Sequence, residues 1–280
     1  MSIELPPGTA AYSNSNPPPK NRQVLTLMAM FLGSLGLAIG AAIWLAGALV
    51  WAIPPSVERQ MGRAILPIYE AQSQPSATQA ELNRLLERIE VNLPAEQKEN
   101  RDYQVLYIPN DTVNAAAIPG DRILIYQGLL DEVQSENELA MVLGHELGHF
   151  ANRDHLRGLS RSVMVRLVLA TFLGDAGSVG AIATNSVSVL TNAQFSQKQE
   201  QQADEIGLTL LENTYGHVAG ATDFFERLSK KENSNLAFLA SHPPSKRRVQ
   251  AIEREIAEEG YAKRDKAPLP SVLTSAISEK

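Results

Sequence analysis

One stretch of this chain specifies a reaction by residue type and spacing: His145-Glu146-Leu147-Gly148-His149, within LAMVLGHELGHFANRDH. Residues four apart on a helix share a face, so the two imidazoles can grip one metal ion. Glu146 follows the first histidine directly. Its carboxylate then stands beside the metal rather than on it, where it can take a proton from a metal-bound water. The chemistry is metal-assisted hydrolysis.

That chemistry needs a helix, and the flanks supply one. Ser135 and Glu138 form an S-x-x-E capping box ahead of an apolar run. Leu139, Val142, Leu143, Leu147 and Phe150 recur at helical spacing, and no proline falls between 120 and 242. Two histidines leave the site one ligand short, because catalytic zinc takes three protein ligands and keeps a position for water. Two residues compete. His155 stands ten residues after His145, the spacing of HExxHxxGxxH, with Asn152 at the glycine position. Asparagine tolerates a left-handed turn. Glu200, in FSQKQEQQADEIGL, shares a helix face with Ala203, Asp204 and Gly207. Ala203 and Gly207 are small enough to admit a second helix closely. Asp204, one turn on, is placed to hydrogen-bond a ligand histidine.

Four blocks in order, NAAAIPGDRILIYQGLLD (114–131), GHELGHFANRDH (144–155), SQKQEQQAD (196–204) and SHPPSKRRVQAI (241–252), carry a family resemblance. The chain resembles the zinc metallopeptidases that include the bacterial heat-shock protease HtpX, the CaaX prenyl proteases and a mitochondrial inner-membrane protease. The family's third-ligand motif, E-x-x-A-D, is matched by Glu200, Ala203 and Asp204. The resemblance therefore implies one zinc ion per chain on His145, His149 and Glu200, Glu146 as the catalytic base and Asp204 behind a ligand. An arginine common three residues before the glutamate is Gln197 here. His155 is then expected at the end of the motif helix, favoured by the dipole there. In relatives a histidine and an arginine six residues later approach the oxyanion, which implies that role for His242 and Arg248. A fixed donor beside zinc would stabilise the charge that builds on the carbonyl oxygen. Alternatively, HPP only starts a helix, down which Val249, Ile252 and Ile256 run to Gly260.

YQVLYIP (103–109) and RILIYQG (122–128) are β-rich runs around TVNAAAI. The resemblance makes Asn114, Ala115, Ala116 and Ala117 an edge strand that pairs with the substrate backbone, with small side chains that let a peptide lie close. The plainer alternative is a strand packed under the helix.

The chain has 280 residues, a net charge of −6 with both signs interspersed, and no cysteine. This composition offers no footprint for nucleic acid. It excludes disulfides, thiolate zinc sites and thiol nucleophiles.

Residues 24–57 contain no charged side chain. The apolar run 24–53 exceeds the roughly 20 residues of a bilayer span, and the 7–15 of a signal-peptide core. Trp44 and Trp51 lie toward its C-terminal end, where aromatic belts form. A single transmembrane helix is expected, behind a disordered segment at 1–23. Lys20 and Arg22 against Arg59 and Arg63 nearly balance. The leading pair suggests a cytoplasmic N-terminus and an extracytoplasmic catalytic domain. Residues 54–75 read as a juxtamembrane linker, 76–262 as the metallopeptidase domain and 263–280 as a polar, weakly structured tail. The apolar stretch 162–190, interrupted by Arg166 and Asp175, reads as two helices covering the site rather than a membrane hairpin.

The expected fold is mainly α with a small β-sheet (α+β), a zincin-like domain behind one N-terminal transmembrane helix. The expected function is a membrane-anchored zinc endopeptidase acting on misfolded or membrane-associated proteins, with polypeptide substrates and the lipid bilayer as partners. The alternative is a membrane-tethered peptide-binding chaperone or assembly factor with little turnover. The intact Glu146 favours cleavage, since a pure binder has no need of it.

Overall fold

The computed structural model describes residues 21–73, 75–161, 165, 195–230, 237–243 and 246–278. The expected covering helices at 162–190 lie outside the described residues, apart from Val165. Residues 1–20 of the expected disordered segment lie outside them too.

The sheet has three strands in the order β1-β3-β2: β1 (Gln104–Ile108), β2 (Ala115–Ile118) and β3 (Arg122–Tyr126). β1 runs parallel to β3, and β2 antiparallel. Successive side chains alternate faces, and both faces are buried. Val105, Ile123 and Ile125 point into the main core, with the leucines of helix Ala77–Glu90 and the apolar residues of helix Glu136–Ala151. Leu106, Ile108 and Leu124 point the other way, onto Ile65 and Tyr69.

Ile65 and Tyr69 belong to a helix, Pro55–Glu70, in the stretch expected as a linker. Pro55 sits in its first turn, where the missing N–H costs nothing. Pro67, in the last turn, lends the stretch the look of a connection. The helix meets the β2–β3 turn backbone to backbone. A Cβ on Gly62 would stand 2.6 Å from the Cα of Gly120, and Gly120 has a φ of 95. Neither glycine can be replaced without separating the two layers.

At the same junction Glu58 is fully buried. His155 Nε2 lies 2.7 Å from Glu58 Oε1, and Arg101 Nη1 2.8 Å from Glu58 Oε2 and 2.7 Å from Asp121 Oδ1. Burial alone would raise the Glu58 pKa. The hydrogen bond and charge of His155, with Arg101, outweigh it and hold Glu58 down at about 2, against an ordinary 4.5. A depressed carboxylate stabilises the fold above its unfolded pKa and loses that contribution as pH falls through the folded value. Glu58→Gln should therefore cost roughly 3 kcal/mol at neutral pH. In urea unfolding followed by circular dichroism, its gap from wild type should close as pH falls from 4.5 toward 2. A gap that stays constant over that window would remove the ion pair from the account.

Helix Glu136–Ala151 runs through the main core, and Ser135 Oγ caps it by accepting from Glu138 N at 3.3 Å. The Glu138 carboxylate reaches Gln134 N rather than the cap residue's own N–H. Helix Gln197–Tyr215 packs against it and begins with a full capping box, Ser196 with Gln199. The two helices touch through backbone. A Cβ on Gly148 would lie 2.8 Å from Ala203 Cα, and one on Gly144 3.0 Å from Gly207 Cα. The small residues Ala203 and Gly207 do admit the second helix.

The tail expectation is corrected. Residues 261–270 form a strap across the start of helix Glu136–Ala151, and helix Ser271–Ser278 follows with Leu273 buried in the core. Ala267 O accepts from Glu136 N at 3.0 Å, and Ala267 N donates to Asn137 Oδ1 at 2.7 Å. Lys266 pairs with Glu138 and Asp223. Proline and polar residues give this stretch a loop-like composition. Its order comes from supplying partners to the orphan groups of a helix start.

Helix Asn21–Leu49 and a tight turn, Val50–Ala52, make 32 residues with an exposed surface, and an 18-residue window within them reaches a mean hydropathy of 2.1. This element is long and apolar enough to cross a membrane. Its end is tied to the turn after helix Glu136–Ala151: Arg153 Nη1 donates to Val50 O at 2.8 Å and to Ile53 O, just past the turn, at 2.6 Å.

Candidate metal centre

Each functional side chain is delivered by an element whose local logic is already visible. Helix Glu136–Ala151 carries His145 and His149 one turn apart. The first turn of helix Gln197–Tyr215 carries Glu200, whose position follows from the Gly148–Ala203 approach. A short helix, Ala237–Ser241, is followed directly by His242. It is docked by Phe238 N donating to Val113 O at 3.0 Å, next to β2, and by Phe195 N donating to Ser241 O at 3.1 Å.

His145, His149, Glu200 and His242 are all buried, and their ligand atoms lie within 4.8 Å of one another. His145 Nε2 stands 3.1 Å from His149 Nε2 and 3.1 Å from His242 Nδ1. Glu200 Oε1 stands 3.0 Å from His242 Nδ1 and 3.3 Å from His149 Nε2. A tetrahedron with arms of about 2.0 Å, the zinc–nitrogen distance, has edges of about 3.3 Å. The outer nitrogens support the same reading. His145 Nδ1 lies 2.9 Å from Asp204 Oδ1, and His149 Nδ1 2.9 Å from Asp154 Oδ2. Ionised carboxylates only accept, so each Nδ1 carries the hydrogen and each neutral ring turns a lone pair inward at Nε2. Two inward lone pairs at 3.1 Å repel unless a cation or a proton lies between them.

Without a metal, protons fill that role. Burial opposes charge on His149, but Asp154 and Glu200 outweigh it and raise its pKa to about 10. Burial, followed by the charge of Arg248, pushes His145 down to about 4. Glu200 is held far below the carboxylate range: burial is overcome by His242, Arg248 and His145. Metal uptake by this set therefore expels a proton and weakens as pH falls.

Glu146 lies beside the four ligand atoms. Its Oε2 accepts from Ala117 N at 2.9 Å, and its Oε1 is 3.6 Å from His242 Nε2. Oε1 is buried without a hydrogen-bond partner among the described residues. Ala117 belongs to β2, the edge strand beside the site. Ala115 is fully buried and Ala117 nearly so. Asn114 is buried as well, and its backbone oxygen accepts from Tyr126 N.

Arg248 enters the site differently from its expected role at the oxyanion. Its Nε and Nη2 fork onto the two oxygens of Asp204 at 2.6 and 2.8 Å, and Nη1 lies 2.5 Å from Glu200 Oε2. His155 is not brought to the metal group. It lies at the start of a helical run, 154–161, bonded to Glu58. The expected stabilisation by a helix C-terminus is therefore replaced by an ion pair. Asn152 is right-handed, with a φ of −84, and the left-handed turn falls on Arg153 with a φ of 56.

Sequence reasoning missed Asp154, whose other oxygen accepts from Gln199 Nε2 at 2.6 Å. It also missed Phe195, stacked on His149 with ring centroids 4.0 Å apart. The signal for Asp154 was available. A ligand histidine needs an acceptor on its outer nitrogen, and only one carboxylate follows His149 within one short turn.

Residues 76–256 match peptidase family M48. The chain is 32% identical over 164 residues to metalloprotease LoiP of Escherichia coli, covering 57% of this chain and 64% of that protein. Mitochondrial metalloendopeptidase OMA1 of Arabidopsis thaliana is 32% identical over 159 residues, 55% of this chain and 32% of that one. Metalloprotease YcaL of Escherichia coli is 30% identical over 161 residues, 56% of this chain and 62% of that one. The chain thus spans less than two thirds of the length of each of these relatives.

Proposed function

The chain belongs to peptidase family M48, and from that premise we propose that it is a membrane-anchored zinc endopeptidase. The observation that carries the reading is the unpartnered Oε1 of Glu146 beside four converging ligand atoms. We assign His145, His149 and Glu200 as the zinc ligands. Zinc held there would supply an acidified water and a polarised carbonyl.

The remaining work falls to this chain's own groups. Glu146 takes the water's proton on Oε1 and passes it to the leaving amine. Its Oε2 is fixed meanwhile by Ala117 N. The substrate strand pairs along β2, so Asn114 to Ala117 hold its backbone beside Glu146 whatever its side chains. Asp204 and Asp154 keep His145 and His149 in the ligating tautomer, and Arg248 keeps Asp204 ionised and in place. His242 Nδ1 stands 3.1 Å from His145 Nε2 and 3.0 Å from Glu200 Oε1, beside the three residues that would hold zinc. From there its imidazole would steady the developing oxyanion. We propose polypeptides from misfolded or membrane-associated proteins as substrates, with helix Asn21–Leu49 spanning the bilayer once and the catalytic domain on the extracytoplasmic side.

The test is an unfolded-protein cleavage assay on the full chain in detergent, with metal analysis. Cleavage should vanish on removing zinc with a chelator and return on adding it back. A protein that binds unfolded chains but never cuts them in the zinc-loaded form would establish the chaperone alternative instead.

A further inference from the structure

A second cavity, of about 590 Å³, lies between the end of the anchor helix and the catalytic domain. One wall is apolar and aromatic, with Trp44, Gly47 and Trp51. The opposite wall is basic, with Arg157, Arg161 and Lys198. The Arg157 guanidinium sits 5.1 Å from the centre of the Trp51 ring. Its nearest carboxylate, Asp154, is 3.6 Å away and already bonded to His149 and Gln199. Arg161 and Lys198 are exposed and have no carboxylate partner among the described residues.

The depth of this cavity in a bilayer follows from helix length. The 32 residues of Asn21–Ala52 extend about 48 Å at 1.5 Å per residue, against roughly 30 Å of hydrocarbon. The turns from Trp44 onward therefore emerge among the headgroups, where tryptophan is favoured. At that level three cations face an apolar wall. Gly47 adds no side chain to that wall, and even a Cβ there would meet nothing within 4 Å.

We propose that this cavity binds an anionic phospholipid, its headgroup phosphate on Arg157, Arg161 and Lys198 and its acyl chains along the anchor helix. A free phosphate ion would satisfy the cations and leave the apolar wall bare. A lipid satisfies both. The inference rests on the reading of Asn21–Ala52 as a membrane anchor. The bound headgroup would press on Phe195 and Gln199, which touch His149 and its partner Asp154.

Trp44 and Trp51 are the chain's two tryptophans, so fluorescence excited selectively at tryptophan reports on this end of the anchor helix and its cavity. The full chain is placed in phosphatidylcholine vesicles that contain, at equal mole fraction, either brominated phosphatidylglycerol or brominated phosphatidylcholine. Stronger quenching by the anionic lipid is expected. The preference should drop roughly five-fold for each charge removed in Arg161→Gln with Lys198→Gln. Both residues are exposed, so the fold is retained, which circular dichroism checks. Millimolar inorganic phosphate at matched ionic strength should leave the preference intact. If phosphate abolishes it, the ligand is the free ion and the lipid assignment falls. Equal quenching by both lipids, or a preference that survives the double variant, overturns the site while leaving the anchor standing. No quenching by either lipid, with the chain failing to float with vesicles, overturns the anchor and the lipid site together.

Discussion

Glu146→Gln is expected to bind zinc, fold normally and lose peptide hydrolysis by a factor on the order of 10²–10⁴, the range for a positioned general base. The substitution is nearly isosteric. Its amide oxygen can still accept from Ala117 N, as Glu146 Oε2 does at 2.9 Å, so β2 and the motif helix remain joined. The position of Oε1 is instead taken by an amide nitrogen, which donates and cannot accept a proton. Cleavage of an unfolded substrate, measured alongside zinc content and circular dichroism, decides the matter. Ordinary turnover by the zinc-loaded, folded variant would sink the assignment of the base.

Glu200→Ala should emerge without zinc, whereas His155→Ala should keep it and pay in stability instead. Removing Glu200 takes one vertex, and the one carboxylate, from the ligand group, while Arg248 stays paired with Asp204. Removing His155 leaves the metal group whole and strands Glu58 with Arg101 alone. Breaking a buried pair in this way typically costs about 3–5 kcal/mol. Asp204→Ala should fall between them, with zinc affinity weaker by roughly 10–100-fold. Atomic absorption after dialysis against a weak chelator, with urea unfolding in parallel, separates the three. The reverse pattern, a zinc-free His155→Ala and a loaded Glu200→Ala, would favour the HExxHxxGxxH reading and contradict the geometry of the ligand group.

The parts of the fold that were legible are those whose signals are local. The motif helix announced itself through Ser135 and a 3.6-residue apolar period, and β1 and β3 through short β-rich runs. Residue spacing alone left Glu200 and His155 both open as third ligand; the resemblance to the E-x-x-A-D motif favoured Glu200, and Ala203 and Gly207 marked only that a second helix could approach closely. What escaped depends on partners distant in sequence. Helix Pro55–Glu70 earns its order from a sheet face some fifty residues away, and Pro67 hides its period. The strap at 261–270 has no period at all. Its order comes from hydrogen bonds to Glu136 and Asn137. Arg248 was placed in the site, yet its fork onto Asp204 could not be read from spacing, since charge pairing across two helices depends on how they cross.

The strap also bears on when this site first exists. The HExxH helix is synthesised first, and its first turn receives Ala267 O, and its core Leu273, only after more than a hundred further residues. His242 and Arg248 arrive almost as late. A ribosome translating this message therefore extrudes the anchor and both histidine ligands well before the groups that complete the centre. The metal centre therefore closes only once the strap has followed both histidine ligands out of the ribosome, when the anchor has already left the exit tunnel.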